Sequence, residues 1–206
     1  MARLKIAIYS PNRDRNPGLR YARAFQDLGH QVVVFNHHLS IPTGDFDFFL
    51  WDDDADNHVY PKTSRPSFYI AIDTHTDSYR SLLQSTYMDY VCYALKPADA
   101  LFVHRGEWVP SAFDSSLKIN DYDQIKPWSR RSIDVVCVGE FRPEKRPERQ
   151  LIKKLCEENF AHTFFSNDIK YDQIQSIYGN SKIVINPTLK GDLNLRFFEA
   201  TGYGAI

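Results

Sequence analysis

Short apolar runs rich in β-branched and aromatic residues recur along this chain with little polar–apolar alternation. They read LKIAIY (4–9), QVVVF (31–35), FDFFLW (46–51), SFYIAID (67–73), DYVCYAL (89–95) and ALFVH (100–104). After a break come IDVVCVG (133–139), HTFFS (162–166) and KIVINP (182–187). Continuous runs of this length suit parallel strands covered on both faces. Helical patterns lie between them. Residues 19–28 put Leu19, Ala22, Phe25 and Leu28 on one stripe, with Asn16-Pro17-Gly18 as a start signal and Gly29 as a stop. Residues 147–158 start on Pro147 and are expected to bury Leu151, Ile152, Leu155 and Cys156, and residues 171–179 form a short helix ending at Gly179. Strand and helix alternate, which predicts an α/β fold of two Rossmann-like units with mainly parallel sheets.

The polar stretch FDSSLKINDYDQIKPWSRRS interrupts that rhythm. It divides the chain into an N-terminal Rossmann-like domain at 1–112, an inter-domain connection at 113–132 and a second Rossmann-like domain at 133–206. Ligands of such folds sit at the carboxyl ends of the strands. A unit ending on LRFFEATGYGAI is expected to lack its next strand and helix. The second domain therefore reads as truncated: a fragment, a trimmed natural version, or a protomer completed by a partner or in a homo-oligomer.

Composition narrows the function classes. The chain is 43% hydrophobic and 14% aromatic, so it can build sizeable cores, and its net charge of −1 gives no general pull toward nucleic acid or anionic lipid. Cys92, Cys137 and Cys156 stand far apart, the usage of reduced thiols rather than of a disulfide framework or a zinc site. No apolar run approaches the ~20 residues of a membrane span. The expected location is the cytoplasm.

Several positions carry candidate chemistry. In IDVVCVGEFRPEKRPERQ a strand ends at Gly139, then Arg142, Lys145 and Arg146 precede a helix start, a combination suited to an anion. The alternative is a solvated turn whose cations are balanced by Glu140, Glu144 and Glu148. In GDLNLRFFEATGYGAI a helix begins near Asn194 and carries Glu199 one turn in, among apolar neighbours. A carboxylate there accepts hydrogen bonds from vicinal hydroxyls, or it is a surface group favoured by the helix dipole. Asp73, Thr74, His75 and Asp77 follow the strand at 67–73. Asp73 is placed to orient or activate an acceptor hydroxyl and His75 to bond a sugar or a leaving oxygen, unless Asp73-Thr74 merely caps the next helix. WDDDAD (51–56) contains Asp52-x-Asp54, a metal-binding pattern that acidic turns also produce by chance.

These stretches together carry a resemblance. DLNLRFFEATGYGA (192–205) resembles the donor-site helix of two-Rossmann (GT-B) glycosyltransferases, in particular the spore-maturation-protein (CgeB-like) branch with its D-L-N-x-R-x-F-E-A pattern. FYIAIDTHTD (68–77), WVPSAFD (108–114) and VVCVGEFRPEKR (135–146) resemble three further segments of that branch, in the same order. The resemblance implies metal-independent transfer of a sugar from a nucleotide-diphosphate sugar to an unspecified acceptor, with no bound cofactor. It implies Glu199 on the ribose, Arg142 and Lys145 on the diphosphate, and Asp192, Asn194 and Leu195 beside the donor. Two departures stand out. Gly191 occupies the place of a first donor-site Glu, with Asp192 next to it, and Gly139-Glu140 replaces the usual Gly-Arg pair. Two other readings stay open: a non-catalytic nucleotide-sugar binding module or fragment, and a metal-dependent GT-A enzyme using Asp52 and Asp54.

Overall fold

The computed structural model describes residues 2–10, 16–36, 44–53, 65–72, 74, 77–94, 106–112, 125–167, 169–188 and 193–206, the side chain of Tyr171 excepted. The backbone groups into two compact units, 1–111 with 189–193 and 112–188 with 194–206.

In the first unit, strands β1 (Lys5–Tyr9), β2 (Gln31–Phe35), β3 (Phe48–Asp52), β4 (Ser67–Ala71), β5 (Tyr90–Tyr93) and β6 (Gly106–Trp108) form one sheet in the order β2-β1-β3-β4-β5-β6. Every neighbouring pair is parallel. The winding direction reverses between β1 and β3, the switch point at which doubly wound sheets open a crevice. Successive residues of one run supply opposite faces. Ala7, Tyr9, Trp51 and Tyr69 share one core, while Ile6, Ile8, Leu50 and Ile70 share the other with Ala22. This two-sided burial explains the missing alternation. Each fully buried Ile contributes about 1.5–3 kcal/mol in transfer terms before ordering entropy is charged against it.

Helix α1 (Pro17–Asp27) starts on an Asn16 cap whose side chain accepts from the Gly18 N–H at 2.9 Å. Gly18 is required by closeness: a side chain there would collide with Ser10 and stand 3.1 Å from Asp52 Oδ2. Leu28, expected on the buried stripe, caps the far end and is exposed. Helix α2 (Ser78–Ser85) is capped by Asp77, which accepts from the Arg80 N–H at 2.9 Å, rather than by Asp73-Thr74. It turns Arg80, Ser81, Gln84 and Ser85 inward and leaves Tyr79, Leu82 and Leu83 exposed. The sheet supplies the reason, since the Tyr69 hydroxyl donates to Gln84 Oε1 at 2.7 Å and Arg80 meets Asp53. The expected strand at 100–104 lies outside the described residues, and β6 was not foreseen.

The second unit has strands β7 (Ile133–Val138), β8 (Thr163–Ser166) and β9 (Ser181–Val184), parallel in the order β8-β7-β9. Helices α3 (Pro147–Asn159), α4 (Tyr171–Gly179) and α5 (Leu195–Gly202) accompany them. Val136, Val138, Ile174, Tyr178, Ala200 and Tyr203 belong to one core. Arg131, at the end of the polar connection, ties this unit together by donating to the carbonyls of Lys126, Ser181 and Gly204 at 2.9, 2.8 and 2.6 Å. One expectation is corrected here. Leu151 and Leu155 are exposed, because α3 turns Arg149 inward beside Cys156, which is buried as expected. The Ile206 N–H donates to the Lys182 carbonyl of β9 at 3.1 Å, and the Ile206 carbonyl accepts from Val184 at 2.8 Å. Among the described residues no helix is long and apolar enough to cross a membrane.

Candidate functional site

In the second unit, the carboxyl ends of β7 and β9 are bridged by an arginine. Arg149, in the first turn of α3, is buried, and donates from Nη1 to the Glu140 carbonyl at 2.9 Å and from Nη2 to the Pro187 carbonyl at 3.2 Å. Its guanidinium carbon lies 6.0 Å from the Phe141 ring centroid. A second guanidinium arrives from α5. Asn194 caps that helix by accepting from the Arg196 N–H at 3.1 Å, and the Arg196 side chain donates to Asn186 Oδ1 at 2.9 Å. Both guanidinium groups meet Gly139, where φ is +152°. A Cβ built on Gly139 would stand 2.6 Å from Arg196 Nη2 and 3.3 Å from Arg149 Nη1.

Glu199 lies on the same helix one turn after Asn194 and is 6% exposed, so the surface alternative for it is set aside. Arg196 and Glu199 both act on the buried Tyr178 phenol. Burial raises its pKa well above the ordinary value, Arg196 draws it down and Glu199 pushes it up. A guanidinium and a carboxylate thus stand three residues apart on one side of α5. That pairing can accept hydrogen bonds from hydroxyls and attract negative charge in the same place.

The cations expected to meet a diphosphate are otherwise engaged. Arg142 forms an ion pair and hydrogen bonds with Glu140, and Lys145 Nζ is 3.9 Å from the same carboxylate. Arg142 holds the Glu140 carboxyl far below its usual range, at about 2. Arg142 and Lys145 thus both lie against Glu140, one of the three acids named in the balanced-turn alternative. Asn194 serves as a helix cap, Leu195 opens α5, and Asp192 lies outside the described residues.

Sequence reasoning missed Arg149, Arg196, Asn186 and Tyr178. A signal existed for the first: Arg149, Ile152 and Cys156 fall at i, i+3 and i+7, so a charge stood on an inward stripe. Arg196 lay in plain view within DLNLRFFEA. Asn186 and Tyr178 carried no local signal, because their role depends on where β9 and α4 come to rest.

In the first unit, Asp73 and His75 lie outside the described residues. Thr74 between them is buried, with no hydrogen-bond partner for Oγ1 among the described residues. Asp52 is fully buried and accepts from the Gly18 N–H at 2.9 Å and from Ser10 Oγ at 3.2 Å, so it is tied to the start of α1. Asp53 pairs with Arg80 at 3.0 Å. Asp54 lies outside the described residues. Among the described residues no group of three or more His, Cys, Asp or Glu gathers at metal-binding distance.

No model of a known protein family matches the chain, and no curated protein sequence matches it.

Proposed function

We propose that this chain transfers a glycosyl group from a nucleotide-diphosphate sugar to an acceptor hydroxyl, without a metal, as a two-Rossmann glycosyltransferase. The observation that carries this reading is the burial of Glu199 on a helix whose first turn reaches the segment after β9 through the Arg196–Asn186 bond. The helix is the one whose DLNLRFFEA pattern carries the family resemblance.

In this reading the second unit binds the nucleotide, and the Glu199 carboxylate accepts hydrogen bonds from the ribose hydroxyls. The first unit presents the acceptor. Asp73 orients or deprotonates its hydroxyl, and His75 bonds the donor sugar or the leaving oxygen. The bond between the anomeric carbon and the diphosphate breaks, a bond from that carbon to the acceptor oxygen forms, and the acceptor proton passes to the base. Rate enhancement comes chiefly from positioning and from stabilising negative charge on the departing diphosphate.

Calorimetry with UDP-, GDP- and ADP-sugars, in the presence of EDTA, tests the reading. It expects saturable, metal-independent binding of one of them that weakens in Glu199→Ala. Binding that needs a divalent cation would move the assignment to a metal-dependent enzyme using Asp52 and Asp54. Binding with neither transfer nor donor hydrolysis would leave a nucleotide-sugar binding module.

A further inference from the structure

We propose that Arg149 and Arg196, meeting at Gly139, form an anion site for a diphosphate group, in place of Arg142 and Lys145. Naming that group as the diphosphate of the sugar donor rests on the function proposed above; the site itself rests on the geometry that follows.

Two guanidinium groups lie against one glycine, and each finds only neutral partners. Arg149 donates to two backbone carbonyls, and its Nε is buried with no hydrogen-bond partner among the described residues. Arg196 donates to a side-chain amide. Neither makes an ion pair with a described carboxylate. Arg149 is buried and Arg196 half-buried, and two like charges held this close disfavour each other, a cost that a bound anion offsets. The electrostatics of Arg149 agree: burial weighs most against its charged form and the Arg196 charge comes next, while the opposing effect of Glu148 is the smallest of those acting on it.

The backbone adds to this. Helix α3 spans thirteen residues, its N-cap position, Arg146, makes no side-chain cap bond, and Arg149 in its first turn reaches Gly139. With no side chain, Gly139 lets the Arg196 guanidinium lie against the strand end. Two guanidinium groups beside one glycine suit a ligand with oxygens on two linked phosphoryl groups better than a single carboxylate. Arg142 and Lys145, already compensated by Glu140, gain less from the same ligand.

The test uses inorganic pyrophosphate with the full chain, read by calorimetry and by the rise in melting temperature on binding. Wild type is expected to bind. Arg196→Gln, which retains an amide able to reach Asn186, is expected to weaken binding about tenfold or more. Arg142→Ala with Lys145→Ala is expected to change it less than about twofold. No binding by a folded wild type would overturn the site. So would full affinity in a folded Arg196→Gln, or loss of binding in the Arg142/Lys145 double variant. If pyrophosphate binds through Arg196 but no nucleotide sugar binds more tightly than pyrophosphate, the site stands and the glycosyltransferase reading fails. If a nucleotide sugar binds through Glu199 with no effect of Arg196→Gln and no competition by pyrophosphate, the reading stands and the site fails.

Discussion

The Arg196 guanidinium occupies the space that a side chain at Gly139 would need, with Nη2 2.6 Å from the position of the missing Cβ. Gly139 also adopts φ +152°, a backbone region that L side chains rarely enter. Gly139→Ala is therefore expected to cost about 1–3 kcal/mol of stability. It should also displace Arg196 from Asn186. Chemical denaturation measures the first effect, and a melting curve matching wild type would contradict it.

Glu199→Ala should weaken nucleotide-sugar binding by about 1–3 kcal/mol, the cost of leaving hydroxyls without their acceptor in a polar site. Glu199→Gln keeps one acceptor oxygen and should lose less. Equal affinity in all three proteins, measured by calorimetry, would remove Glu199 from the ribose.

In the first unit, Asp53 and Arg80 are 1% and 8% exposed as side chains and meet at 3.0 Å. Removing one partner leaves the other charge buried. Arg80→Leu alone is expected to destabilise by about 3–5 kcal/mol, and adding Asp53→Asn to restore part of the loss. A double-mutant cycle by urea denaturation checks this, and strictly additive single effects would argue against coupling.

The Glu140 carboxyl titrates at about 2 in the folded chain against an ordinary value of 4.5, drawn down first by its side-chain bond to Arg142 and then by the Arg142 backbone N–H. Because the folded value is the lower one, the contribution to stability is complete above the ordinary value. It is lost as pH falls from about 4.5 toward 2. Carboxyl-carbon NMR should find the low midpoint in wild type and a normal one in Arg142→Ala. An unchanged midpoint in the variant would assign the shift to another cause.

Much of the architecture was legible because it follows from local pattern. The runs around Ile6, Ile70 and Val136 are apolar on both faces, and only a parallel sheet covered on both sides buries such runs. Asn16 and Asn194 lie immediately before apolar-periodic segments and became helix caps. The helical stripes were less secure. Leu151 and Leu155 follow an apolar period but stay exposed, since the unmet carbonyls of Glu140 and Pro187 drew Arg149 inward and set the rotation of α3. In α2, Arg80 and Gln84 were drawn inward by Asp53 and Tyr69, residues of β4 and of the segment after β3 that no sequence window contains.

The sequence by itself determined that strands alternate with helices, that the sheets are parallel, and that Glu199 stands one turn inside a helix near a strand end. Those properties depend on side-chain periodicity and on capping chemistry within a few residues. Only the tertiary structure decided which cations meet at the end of β7. Arg142 and Lys145 are nearest to β7 along the chain, but the short turn lets them fold back onto Glu140. Arg149 and Arg196 stand far apart along the second unit, and they meet at Gly139 because the β8-β7-β9 order sets the end of β9 beside that of β7.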